Sequence, residues 1–213
     1  VSEAKTMREA GEASGQLVFI VDDDDAQRDS LVWLLESHGH AVRAFPDAES
    51  FLAAWDGSFA GCLLLDVRMP GMSGLELFEE LARRHCALPV IFITGHGDVP
   101  MAVAALKKGA ADFIEKPFSA EEMLKMVENC LARESEERKH RRARTDTAQR
   151  LTQLTTRERE VLDLIIAGKL NKQIADVLGI SIKTVEVHRA RVMDKMGVST
   201  LASLIRRVVS AEL

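Results

Sequence analysis

Three nearly uninterrupted apolar runs constrain the fold of this chain most: LVFIV (17–21), CLLLD (62–66) and PVIFI (89–93). None alternates apolar with polar residues, so each is expected to be buried on both faces, as in a parallel sheet covered by helices. Two shorter runs, AVRAF (41–45) and ADFIE (111–115), read as further strands. Amphipathic segments lie between them. QRDSLVWLLESHG (27–39) turns Leu31, Leu34 and Leu35 inward and ends at Gly39, and DAESFLAAW (47–55) opens with Asp47 as its cap. GLELFEELARR (74–84), VPMAVAALKKG (99–109) and a segment from about 120 complete the series. Five strand–helix repeats of this kind predict a doubly wound α/β domain of flavodoxin-like order.

The first run leads straight into four aspartates, VFIVDDDD (18–25). In a doubly wound sheet, ligands bind beyond the C-terminal ends of the strands. The predicted strand ends bring Asp22, Asp23, Asp66, Thr94 and Lys116 to one edge. Crowded carboxylates repel unless a cation sits among them. Hard oxygen donors suit Mg²⁺, with Mn²⁺ as a substitute. A carboxylate can also attack phosphorus to form an acyl phosphate, and Asp66, at the end of the central strand, is the candidate nucleophile. The metal, lysine and hydroxyl would then neutralise or hold the phosphoryl oxygens. No GxxxxGK[ST] or GxGxxG loop follows the first strand, which argues against a nucleotide site. Asp24 and Asp25 are expected only to cap the following helix. Taken singly, Thr94 could be a loop hydroxyl and Lys116 a solvated charge.

The net charge of −5 conceals a division: −11 over residues 1–131 and +6 over 132–213. A basic C-terminal segment suits a polyanion, although the two parts could also simply attract each other. Residues 1–16 read as a loose polar tail without the order of a secretory signal, which favours an intracellular protein. No apolar run approaches the ~20 residues of a membrane span. Cys62, Cys86 and Cys130 are scattered and read as ordinary thiols. RESEERKHRRARTDTAQR, in the 132–150 segment, is nearly devoid of apolar residues and reads as a charged linker, helical at least at its start. Residues 151–213 predict an all-α domain of four helices at about 156–167, 171–178, 182–196 and 200–211. Helix, Gly turn, helix in NKQIADVLG-ISIKTVEVHRARVMDKMG is a helix-turn-helix pattern. Val185, Val192 and Met196 would anchor its second helix, leaving Lys183, Thr184, Glu186, His188, Arg189, Arg191 and Lys195 outward.

Several motifs occur together in one order: VDDD (21–24), LLLDVRMPGMSGLEL (63–77), IFITGHGD (91–98) and FIEKPF (113–118). Through them, residues 17–131 resemble the receiver domain of two-component response regulators. The resemblance implies Asp66 as phosphoacceptor. Asp22 and Asp23 would form the acidic pocket, with Asp23 a direct Mg²⁺ ligand, Asp22 acting mainly through water, and the Arg68 backbone carbonyl completing the protein ligands. Thr94 would be the switch hydroxyl, Phe113 the aromatic switch position, and Lys116, before a cis Pro117, the phosphate-facing lysine. Residues 154–198 resemble the LuxR-type DNA-binding domain. That likeness implies Lys183, Thr184, Val185, His188 and Arg189 at the groove, and Asn171, Lys172 and Lys195 near phosphates. The likeness is nearest to the FixJ/NarL group and its StyR-like members.

The expectation is therefore a bacterial, cytoplasmic, phosphorylation-dependent transcription regulator rather than an enzyme. Its partners would be a sensor histidine kinase, a double-stranded operator of two-fold symmetry, a second copy of itself, and RNA polymerase. With Arg68 rather than an acid two residues beyond Asp66, no dedicated phosphatase activity is expected. Dimerisation is expected through Leu201, Leu204, Ile205 and Val208 of the last helix, or through a receiver face including Met101, Val103, Met123 and Val127. A constitutive DNA binder using its receiver only to dimerise, or a Mg²⁺-dependent phosphohydrolase, are the alternatives.

Overall fold

A computed structural model describes residues 15–95 and 99–212. The tail expected at 1–16 therefore falls almost wholly outside the described residues, as do His96, Gly97 and Asp98 of the fourth-strand motif. Two compact units meet between Glu136 and Glu137.

The first unit is a five-stranded, all-parallel sheet: β1 (Leu17–Val21), β2 (Val42–Phe45), β3 (Gly61–Asp66), β4 (Val90–Thr94) and β5 (Asp112–Glu115). Its order is β2-β1-β3-β4-β5, the flavodoxin-like order the strand–helix repeats predict. The pleat sends alternate residues to opposite faces. Phe19, Val21, Leu63, Leu65 and Phe92 pack on one side, against α2 (Ala48–Ala54), α3 (Gly74–Arg83) and α4 (Val99–Lys107), through Phe51, Leu77 and Ala105. Val18, Ile20, Leu64, Ile91 and Ile93 pack on the other, against Leu31 and Leu35 of α1 (Asp25–Ser37) and Met123 and Val127 of α5 (Ala120–Thr152). With two covered faces, the central strands had no polar position to spare, which is why their runs are unbroken. Met123 and Val127, expected on an exposed receiver face, are instead fully buried beneath the sheet.

Helix starts are set by local chemistry. Asp24 accepts from the backbone N–H groups of Ala26 and Gln27 and starts α1, and Asp47 accepts from Ser50 N and starts α2. Ser73 and Glu76 form a reciprocal capping box on α3. Gly74 then lies against the end of β3: its N–H donates to Val67 O at 3.1 Å. A Cβ there would sit 2.0 Å from the Asp66 carbonyl oxygen and 3.1 Å from Leu65 Cγ.

Helix α5 is 33 residues long and includes the whole segment expected as a linker. Its first part belongs to the sheet unit, where the buried Glu134 carboxylate accepts from Gln16 Nε2 at 2.6 Å. Its last part belongs to the helical unit, where Thr147 is buried and Leu151 joins the core. The helical unit continues with α6 (Thr156–Ile166), α7 (Asn171–Leu178), α8 (Ile182–Lys195) and α9 (Leu201–Glu212). Val161, Leu162, Ile165, Ile174, Val185, Val192, Met196, Leu204 and Val208 form its core. The apolar stripe of α9 is thus divided: Leu204 and Val208 are internal, Ile205 is half-buried and Leu201 is exposed.

Replacing Gly74 by Ala forces α3 away from the end of β3. A thermal melt is expected to show a loss of about 1–3 kcal/mol, the usual cost of overpacking a filled site. An unchanged melting temperature would show that the contact relaxes freely.

Candidate functional site

The end of β1 and the cap of α1 together shape the acidic edge. Asp22 is 1% exposed. Its Oδ1 accepts from Asp24 N at 2.9 Å and its Oδ2 from Gln27 Nε2 at 2.7 Å. Asp66, at the end of β3, is also buried. Its Oδ2 accepts from Arg68 N at 2.8 Å and its Oδ1 from Lys116 Nζ at 2.5 Å. The same ammonium lies 3.6 Å from Asp22 Oδ2, so one lysine spans both carboxylates. Lys116 follows β5, where its N–H donates to Thr94 O at 2.8 Å, and the Lys116–Pro117 peptide is cis. Thr94 is fully buried, with Oγ1 3.5 Å from the Ile114 carbonyl. Asp23 is exposed beside Asp22, and Arg68 is exposed beyond Asp66. Phe113 is half-buried against the core on the α2–α4 side of the sheet.

Burial pushes the Asp22 carboxyl up from its ordinary value. The Asp24 N–H and the Lys116 ammonium oppose that rise, and the neighbouring Asp66 and Asp23 charges add to it. Lys116 is thus shared by two buried carboxylates, Asp22 and Asp66, with the Asp23 charge beside them. Among the described residues, no three His, Cys, Asp or Glu side chains are gathered closely enough to hold a metal alone. A hard-oxygen set with few protein ligands suits a hydrated Mg²⁺ rather than a closed protein cage. Asp24 is the cap of α1, as expected, and Asp25 pairs with Arg28 within the same helix.

In the helical unit, α7 ends at Gly179, whose φ of 64° is the left-handed conformation that glycine adopts without steric cost. Ser181 caps α8 by accepting from Thr184 N. Val185, Val192 and Met196 hold α8 to the core. Val185, expected at the groove, is fully buried and has no methyl to offer a base edge; its spacing from Val192 and Met196 commits it to packing. The outward face carries Lys183, Glu186, Val187, Ala190 and Arg191, with Val187 44% exposed. Val187 and Ala190 escaped the sequence reading. Their signal was position alone, on the side opposite the buried triplet. Lys172 is exposed, whereas Asn171, Thr184, His188 and Arg189 are half-buried. Thr184 Oγ1 pairs with Ser181 Oγ at 2.8 Å, and His188 Nδ1 is buried without a hydrogen-bond partner.

Lys195 has another engagement. Its ammonium donates to Glu158 Oε2 at 2.6 Å and to Gln153 O at 3.1 Å. Glu158 is buried and also accepts from Thr155 N. The lysine hydrogen bond, then the Thr155 contact, hold its carboxyl at about 2. The capping half of this cluster is legible as Thr155-x-x-Glu158, but the lysine lies too far along the chain to announce itself.

A parallel α/β sheet with an acidic, lysine-bridged edge, followed by a helix-turn-helix unit, defines a DNA-binding regulator with a phosphoacceptor module. A family model described as response regulator receiver domain matches residues 18–128, and one described as bacterial regulatory proteins, luxR family, matches residues 152–208. The transcriptional regulatory protein FixJ of Azorhizobium caulinodans is 48% identical over 194 residues, covering 91% of this chain and 92% of that one. The C4-dicarboxylate transport regulatory protein DctR of Rhodobacter capsulatus is 47% identical, covering 89% and 97%. Among solved structures, the response regulator StyR superposes with a TM-score of 0.83 at 45% identity, covering 91% of this chain and 98% of that one. Full-length FixJ from B. japonicum gives 0.58 at 43%, covering 92% and 97%. The chain belongs to the FixJ/NarL family of two-component response regulators, with a receiver domain and a LuxR-type helix-turn-helix domain. It is a phosphorylation-regulated, DNA-binding transcription regulator and not an enzyme. The receiver family typically binds Mg²⁺ for phosphotransfer, and its members work with a kinase, an operator and a dimer partner. Among the described residues, no helix is long and apolar enough to cross a membrane.

The depressed Glu158 carboxyl has a consequence in acid. Its ionised form is favoured in the folded state, so this stabilisation is complete above the ordinary glutamate value of 4.5 and is lost as pH falls from there towards about 2. Glu158→Gln is expected to cost about 1–3 kcal/mol at neutral pH and to flatten stability against pH in that window. Denaturant melts at several pH values check both. A variant with the parent's acid profile would remove the ion pair from the account.

Proposed function

We propose that Asp66 is the phosphoacceptor. A carboxylate oxygen attacks the phosphorus of a phosphohistidine on a sensor kinase in line, the P–N bond breaks, and an acyl phosphate forms on Asp66 as the histidine leaves. The observation that carries this reading is the Lys116 ammonium, 2.5 Å from Asp66 and 3.6 Å from Asp22 at the sheet's ligand-binding edge. Lys116 would keep hold of the new phosphoryl group, and the Thr94 hydroxyl would turn from the Ile114 carbonyl towards it. Phe113, packed beside β4, would follow that movement. Asp22, Asp23, Asp66 and the Arg68 carbonyl are the residues to hold Mg²⁺, or Mn²⁺ in its place. When bound, the ion supplies positive charge to the phosphoryl oxygens. Hydrolysis by water resets the site, and the side chain two residues beyond Asp66, Arg68, offers no base to hasten it.

The DNA reading rests on the exposed face of α8. Lys183, Glu186, Val187 and Ala190 would face base edges, where a valine methyl suits thymine and a lysine suits guanine. Lys172, Asn171, Thr184, His188 and Arg189 flank that face and would take phosphates and sugars, positioning rather than specifying. Lys195, tied to Glu158, would act mainly by holding α8 in place. Two copies on a two-fold operator would supply the affinity that one helix lacks. The domain limits proposed are 17–131 for the receiver, 132–150 for the connecting stretch of α5 and 151–213 for the DNA-binding domain. A cytoplasmic, bacterial setting and contact with RNA polymerase complete the reading.

Incubation with Mg²⁺ and acetyl phosphate, followed by intact mass and solution size, tests it. The parent is expected to gain one phosphoryl group and shift towards dimer, and Asp66→Asn to do neither. A folded parent that gains no phosphoryl group would contradict the assignment.

A further inference from the structure

Within the helical unit, the last turns of α5 and helix α9 face each other across a groove of about 360 Å³. On the α5 side stand His140, Arg144 and Thr147, three to four residues apart and so on one helix face. Ser203, Arg206 and Ser210 stand opposite on α9. The walls are fixed. Thr147 is 2% exposed, and its hydroxyl donates to Ala143 O at 2.8 Å. Arg207 on α9 donates to the Met196 carbonyl and lies 3.7 Å from Asp146 on α5. Arg150 Nε holds the same carboxylate at 2.9 and 3.1 Å.

The charges do not balance. Asp146 is shared by Arg150 and Arg207, and among the described residues Arg144 and Arg206 have no carboxylate partner. Both are exposed on opposite walls of the groove, where like charges repel. The Ser203 hydroxyl accepts from Thr200 Oγ1 at 2.8 Å, and its own proton has no acceptor among the described residues. Planar guanidinium forks with nearby hydroxyl donors match the oxygens of a phosphoryl group, with a geometric fit that an ammonium, a point charge, lacks. The volume falls in the range of small-ligand pockets and exceeds what a single phosphate fills.

We propose that this groove binds a phosphoryl anion of more than one phosphate, held between Arg144 and Arg206 with Ser203 and Ser210 donating from α9. Two sources share that chemistry, a free polyphosphate and the backbone of bound DNA. The site is separate from the acidic edge and does not need Asp66 to be phosphorylated.

Calorimetric titration of the full chain with inorganic pyrophosphate, in EDTA so that no metal draws the probe to the acidic edge, tests it. The parent is expected to bind at one saturable site. Arg144→Gln with Arg206→Gln should weaken that binding by roughly tenfold or more for each arginine removed. Arg144→Lys with Arg206→Lys, which keeps charge and fold, should weaken it less but measurably, because an ammonium has no fork. Lys169→Gln, exposed in the turn after α6, should leave it unchanged. In a second arm, DNA affinity is followed against salt. If the DNA backbone is the source, the double Gln variant lowers the log–log slope by about two and pyrophosphate competes with DNA. If a free anion is the source, pyrophosphate binding falls while the slope stays. Pyrophosphate binding that is absent from the parent or equal in the double Gln variant, with an unchanged slope, overturns the proposal.

Discussion

The Lys116 ammonium, between the buried carboxylates of Asp22 and Asp66, is the interaction on which the receiver unit turns. Two burials are at stake, because an unpaired carboxylate away from water is costly and the one lysine is shared by both. The sheet order makes the meeting possible. β1 and β3 are neighbours, so their C-terminal ends place Asp22 and Asp66 side by side, and β5, at the sheet edge beyond β4, carries the lysine to them. The helices contribute by where they begin. Asp24 starts α1 just after Asp22, and Gly74 starts α3 against the Asp66 carbonyl, so neither helix can shift without moving a carboxylate.

At the same edge one lysine is shared between two carboxylates, and on the proposed reading that leaves room for a cation. A site already neutral would have no use for a cation and no way to respond to a phosphoryl group. Here the lysine is shared between the carboxylates, so in the proposed mechanism a divalent ion and then a phosphoryl group would change the charge that Lys116 and Thr94 meet. Thr94 sits at the end of β4, beside β5, where a small change in hydrogen bonding can reach Phe113 and the surface around it. To move a two-state protein from 1:99 to 99:1 takes about 5.5 kcal/mol of differential stabilisation. A few charge-assisted hydrogen bonds, each about 1.5–3 kcal/mol, are of that order.

Much of this was legible in the sequence because the decisive signals were local. The unbroken runs of β1, β3 and β4 follow from burial on both faces, and Asp24 and Asp47 announce the helices they cap. The acidic edge was legible because the doubly wound fold itself says where strand ends converge. What was not legible depended on partners distant in sequence. Met123 and Val127 read as an interface until the underside of the sheet claimed them, and Val185 fits a groove-facing list until Val192 and Met196 fix the rotation of α8. Lys195 reads as a phosphate contact because nothing near it betrays Glu158, 37 residues away. The charged stretch from 132 to 150 lacks the apolar stripe that marks a packed helix, and it is helical because each of its ends borrows a core, one through Glu134 and the other through Thr147 and Leu151.

The central claim is that the phosphorylation state of Asp66 governs DNA binding by α8. Its most direct measurement is the affinity of the full chain for a DNA site selected in vitro, with Mg²⁺, at one fixed salt concentration, with and without beryllofluoride. The account predicts tighter binding with beryllofluoride in the parent, no gain in Asp66→Asn, and loss of the gain in Lys116→Met. Equal affinity with and without beryllofluoride in a protein that demonstrably binds it would contradict the account and leave the receiver as a passenger on a constitutive DNA binder.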